Sequence, residues 1–82
     1  DNIYPNPFSG ATNILFHIQQ PGHAKLVICD RLNRELDVLI DRELTAGDHT
    51  LTWHAADFAP GLYFCRLICG NDMAVQKLIL IK

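Results

Sequence analysis

Apolar and polar residues alternate in short runs along this chain, and turn residues interrupt them roughly every eight to twelve positions, the pattern of half-buried β-strands. Thr12 to Gln19 sets Ile14, Phe16 and Ile18 on one face and Asn13, Leu15, His17 and Gln19 on the other, with Pro21-Gly22 closing the run. His23 to Asp30 repeats the device, with Ala24, Leu26 and Ile28 opposite Lys25, Val27 and Cys29. Asp30-Arg31-Leu32-Asn33 reads as a turn, because Asp suits its first position and Asn tolerates the left-handed backbone that lets the next strand begin. That third strand spans Arg34 to Ile40, with Leu36 and Val38, or else Leu39, as core residues.

Asp41 to Asp48 reads as a connection, with a positive φ expected at Gly47. His49 to His54 resumes the alternation and turns Leu51 and Trp53 to one face, Trp53 being the largest core contribution available. Ala59-Pro60-Gly61 has the residue order of a type II turn. Leu62 to Cys69 then faces Tyr63, Cys65 and Leu67 inward and Phe64 and Arg66 outward, and Gly70-Asn71 makes a hairpin into a last strand, Met73 to Ile81. The only helical candidate is one short turn over Ala55 to Ala59. About six to seven strands joined by such turns specify an all-β fold, a small antiparallel immunoglobulin-like β-sandwich, with a partly open barrel as the alternative.

With 82 residues the chain has room for one domain, residues 1–82, read as a proline-containing lead-in over 1–9 and a sandwich over 10–82. So small a unit buries only about 60–65% of the surface its unfolded chain exposes. A composition 49% hydrophobic and 20% charged is that of a folded domain. The net charge is −2 and the basic residues are scattered, so no stripe exists to follow a phosphate backbone and nucleic acid is not an expected partner. The longest apolar run, Leu78 to Ile81, is strand-sized against the roughly 20 residues of a membrane-spanning helix, and membrane insertion is not expected either. The start at Asp1 reads as a piece of a longer protein and the finish at Lys82 as a natural C-terminus.

Candidate chemistry changes this picture little. His49 and His54 fall on opposite faces of one strand, so no metal site is expected, nor any cofactor. The acidic residues sit mostly at turns without calcium-loop spacing. The only serine, Ser9, lies in no nucleophile elbow, and thiols buried on strands are inert, so no enzyme is expected. Cys65 and Cys69 share a face about 13 Å apart, beyond disulfide reach, whereas Cys29 could pair with either. Phe64, with Tyr4 and Phe8, could form an aromatic platform for a sugar or simply cover the sandwich edge.

Three stretches are more specific together than alone: "YPNPF" at 4–8, "GLYFCRL" at 61–67 and "KLILIK" at 77–82. With "DRLNRELDVLI" and "LTAGDHTLTW" between them, they resemble, over essentially the whole chain, the type A C-terminal sorting domain of the type IX (Por) secretion system. The resemblance implies an immunoglobulin-like sandwich at the end of a large exported protein of Bacteroidetes-type bacteria. It implies a non-enzymatic address that directs N-terminal cargo domains across the outer membrane. Its implied partners are the secretion machinery and a sortase-like peptidase that removes the domain as cargo is released or joined to surface lipopolysaccharide. The implied route runs through the periplasm to the cell surface or the medium.

The family's motif positions fall on Pro5 and Pro7, on Gly61 and Tyr63, and on Lys77 with Leu78, Ile79, Leu80, Ile81 and Lys82. The chain departs from the family in having Asn33 where a glycine is common, and His54-Ala55 after the tryptophan where an acidic residue and glycine are common. The same pattern also resembles the immunoglobulin-like domain of flagellar hook-assembly scaffolds, and a surface module binding carbohydrate or protein, or a spacer, is a further alternative. Pro5 and Pro7 favour an extended, semi-rigid joint that Tyr4 or Phe8 could anchor. If the last strand lies at a sheet edge, its backbone could be read by strand addition.

Overall fold

In the computed structural model, which describes residues 2–81, the alternating runs become seven strands in two antiparallel sheets. One sheet holds β1 (Asn2–Tyr4), β2 (Ala11–Ile18) and β5 (Gly47–His54) in the order β1-β2-β5. The other holds β3 (Gly22–Cys29), β4 (Glu35–Leu44), β6 (Gly61–Cys69) and β7 (Asp72–Leu80) in the order β4-β3-β6-β7. The chain changes sheet after β2, β4 and β5, the connectivity of an immunoglobulin-like sandwich. No ladder between named strands joins the two sheets, which sets the barrel aside.

The period of two decides which side chains fill the space between the sheets. Ile14, Phe16 and Ile18 of β2 meet Ala24, Leu26 and Ile28 of β3, Tyr63, Cys65 and Leu67 of β6, and Leu78 and Leu80 of β7. Each fully buried aliphatic side chain stabilises the fold by about 1.5–3 kcal/mol relative to exposure. Trp53 stands at the centre of one end, with ring centroids 5.8 Å from Phe8, 5.2 Å from Phe58 and 5.8 Å from Tyr63, in tilted or edge-on packing. Its indole N–H donates to the Asp37 carboxylate at 3.0 Å, so one side chain of β5 ties down β4 of the opposite sheet.

Two elements differ from the sequence reading. Residues 41–44 are not a connection but the end of β4, which pairs with β3 as far as Leu44 opposite Gly22; the chain reverses only at Thr45-Ala46, and Gly47 has φ 120°. Alternation does not mark this stretch as strand because β4 is a sheet edge, where the backbone pairs while Asp41, Arg42 and Glu43 face water. Within β4 the register jumps from Leu26↔Ile40 to Val27↔Val38 and leaves Leu39 as the extra residue. The bulge turns Leu39 and Ile40 onto the core, while Leu36 and Val38 are 41% and 48% exposed. The second difference is β1, three residues too short to show an alternation, whose Ile3 is buried opposite Ile14.

The turn between β3 and β4 forms as its residues demand. Asn33 takes the left-handed conformation at φ 64°, and the Asp30 carboxylate accepts the N–H groups of Leu32 (2.9 Å) and Arg34 (3.0 Å) and the Arg34 Nε (2.7 Å). These bonds, that of the Arg34 N–H above all, hold the Asp30 carboxyl below its ordinary pKa.

Replacing Phe8 by Ala should lower the unfolding free energy in urea titrations by about 3–5 kcal/mol, whereas Tyr4→Ala, at a ring 71% exposed, should change it by less than about 0.5 kcal/mol. Because the Asp30 pKa is lower folded than unfolded, its stabilising share is present above the unfolded pKa and fades as pH falls through the folded one. Urea midpoints of wild type and Asp30→Asn should therefore differ at neutral pH and converge near pH ~2.

Candidate recognition site at the last strand

β7 pairs with only one named strand, β6, and does so without a register break from Gly61↔Leu80 to Cys69↔Asp72. Gly61 and Tyr63 thereby stand opposite Leu80 and Leu78, and Phe64 stands opposite Lys77. Alternation then divides the last motif in two. Leu78 and Leu80 are core residues, whereas Lys77, Ile79 and Ile81 face outward and are exposed. Lys82 lies outside the described residues.

The lead-in is bonded to the sandwich rather than standing clear of it. Its Tyr4-Pro5 and Asn6-Pro7 bonds are both cis, and the segment lies along the outer edge of β7. Phe8 enters the core and forms a parallel bridge with Leu80: its N–H donates to the Ile79 carbonyl and its carbonyl accepts the Ile81 N–H, both at 2.9 Å. Between the prolines, which have no N–H to offer, Asn6 supplies the missing polar groups from its side chain. Its Nδ2 donates to the Lys77 carbonyl at 2.8 Å and its Oδ1 accepts the Ile79 N–H at 3.0 Å. The Pro5 carbonyl accepts the hydroxyl of Thr12, the one buried polar residue among those described. Of the two candidate anchors, Phe8 is buried and Tyr4 is not.

Tyr63 fixes the other border of the site. Its hydroxyl donates to the Ala59 carbonyl four residues back, the tyrosine-corner arrangement of immunoglobulin-like domains, and so pins the turn that ends at Gly61 (φ 150°). On the outer face of the four-stranded sheet, Arg66 does not extend into solvent. It is 15% exposed, bonded to Glu35 at 3.0 Å and to Asn33, and Lys25 reaches the same Glu35 at 3.3 Å. Val27, its register partner, is fully buried beside it. Phe64 is half-buried and Phe8 lies inside the core, so the three-ring sugar platform does not form.

The remaining chemistry is dispersed. His17 pairs with Asp48 at 2.8 Å, His23 with Asp41 at 2.5 Å, and His49 stacks on Phe16 at 5.5 Å. Among the described residues no three metal-ligating side chains come together. All three cysteines are free thiols. Cys29 stands opposite Phe64 on the outer face, whereas Cys65, opposite Ile28, faces the core, so the pairing that the sequence left open for Cys29 is blocked by the sheet itself. Burial, with a smaller contribution from Cys29, pushes the Cys65 thiol up to about 12.

Seven strands, with both end motifs bonded to each other along one sheet edge, define a small immunoglobulin-like β-sandwich domain. The family described as "Secretion system C-terminal sorting domain" matches residues 2–82, and the chain belongs to that family. It is a C-terminal sorting signal of the type IX secretion system. The family is not catalytic, and membership implies interaction with the secretion machinery, attachment to a cargo, and export to the cell surface or secretion. No curated protein matches the chain.

Alkylation of the native domain with iodoacetamide at pH 8 should modify Cys69, which is half-buried, well before Cys65 or Cys29. Peptide mass spectrometry should find the latter two labelled only after denaturation.

Proposed function

We propose that the type IX machinery reads the outward residues of the last strand, Lys77, Ile79 and Ile81, together with that strand's backbone edge, continuing into Lys82. The position of β7 as the last strand of its sheet carries this reading, since its outward side chains are exposed and, among the described residues, its backbone edge meets only the lead-in at Lys77–Ile81. In it, Leu78 and Leu80 hold the strand against the core, Gly61 and Tyr63 shape the turn beside it, and Pro5 and Pro7 frame the segment that lies on it. The whole of residues 1–82 acts as one domain without catalysis of its own. Its cargo lies on the N-terminal side and passes through the periplasm. A sortase-like peptidase then removes the domain.

Fusing the domain to a secreted reporter in a type IX-competent cell tests the reading. Deleting 77–82 should abolish export, but it also removes core residues, so the deciding variant is Ile79→Asp/Ile81→Asp, confined to outward positions. Its thermal melting should stay close to wild type, and export should fall by about tenfold or more, as for hot-spot residues of an interface. Wild-type export of this folded variant would sink the proposal.

A further inference from the structure

The cover on β7 is partial. Its bonds reach from the Lys77 carbonyl to the Ile81 N–H, and they fall only on odd-numbered residues. Because the register with β6 is unbroken, the backbone groups of Met73 and Val75 and the Lys77 N–H point the same way. Among the described residues no hydrogen bond covers them. The side chains of Met73 and Val75 are 66% and 51% exposed. Beside this open stretch, between β1 and β7, lies a small apolar groove of about 20 Å³ whose lining includes Ile3, Ile14, Phe16, Leu67, Ala74 and Gln76.

We propose that a partner protein adds an extended segment along this edge, parallel to β7, seating first on Met73 and Val75 and then displacing Pro5–Phe8 from Lys77–Ile81. This rests on the reading of the last strand as the recognised element, and it names the register and the regulation of that element. The direction follows from the Phe8–Leu80 bridge, which is parallel. A parallel strand bonds the carbonyl of one residue and the N–H two residues on. Phe8 does so at Ile79 and Ile81, and Asn6 imitates it at Lys77 and Ile79 with its side chain. The next two steps back, Val75 to Lys77 and Met73 to Val75, are the open ones.

An incoming strand therefore replaces the cover's bonds with equivalent ones and adds those the cover does not make. The chemistry of the partner is set by what it meets. It has apolar residues at alternate positions, for the groove on one side and Met73 and Val75 on the other, and an acidic residue near Lys77, whose ammonium has no carboxylate bonded to it among the described residues.

The test uses the full-length parent protein and reads its initial export rate by pulse-chase. Val75→Pro removes an outward N–H at a sheet edge, where proline is tolerated, and leaves the cover intact. It should slow export about fivefold, as one missing backbone hydrogen bond would. Asn6→Ala loosens the cover without touching Phe8; amide exchange at Ile79 should rise about tenfold and export should accelerate. Wild-type export of Val75→Pro overturns the proposal. So does faster exchange in Asn6→Ala with unchanged or slower export, which decides the matter even if Val75→Pro fails to fold. Sedimentation showing a dimer that Val75→Pro disperses also overturns it, since a second copy would then be the occupant. Failure of the underlying reading shows separately, as normal export of Ile79→Asp/Ile81→Asp.

Discussion

Phe8 lies against Trp53 on one side and Leu80 on the other, and most of the architecture depends on that seat being filled. The ring closes the end of the sandwich where the two sheets would otherwise part, since no ladder between named strands joins them there. Its backbone holds Ile79 and Ile81, and its position places Asn6 within reach of Lys77. Trp53 extends the same constraint to Asp37 on β4 and, through ring contacts, to Phe58 and Tyr63. A single aromatic cluster therefore positions the lead-in, the turn before β6 and the last strand together. It explains why stretches more than 70 residues apart in sequence lie against each other.

The outer face of the larger sheet obeys a different rule. Its middle strand β3 carries Val27 and Cys29, which are buried although no second layer among the described residues packs on their face. Neighbouring side chains do the covering, with Arg66 held over Val27 by Glu35 and Asn33. The guanidinium thus serves as a lid whose polar rim faces water and whose stem faces the sheet. On β7 no described side chain forms such a lid, and Met73, Val75, Ile79 and Ile81 stay exposed. One half of this face is thus covered by its own side chains and the other is left exposed.

The sandwich was legible wherever a strand has one wet and one dry side. β2, β3, β5 and β6 could be read from Ile14, Leu26, Trp53 and Tyr63 because alternation encodes burial directly. It fails at edges, where pairing involves the backbone alone; this is why the end of β4 was hidden under Asp41 to Glu43. It also reports the face of a residue and not its cover, which is why Arg66 looked solvated. The motif stretches at the two ends could be picked out in the sequence, but the bonds joining them could not. Asn6 meets Lys77 across 71 residues and Ile79 across 73, and such pairs leave no local period to detect.

Leu78 and Leu80 give the domain a property that follows from their place in the chain. They are completely or almost completely buried, and they seal a core that they share with Ile3 of β1 and Phe8 of the lead-in. The sandwich is complete only when its first and last strands are both present. A polypeptide broken off before residue 78 lacks two side chains of the core and leaves Gly61, Leu62 and Tyr63 of β6 without their partners. Closure of the sandwich is thereby conditional on its seventh strand, so that Ile79 and Ile81 are held outward only by a domain whose core has already formed.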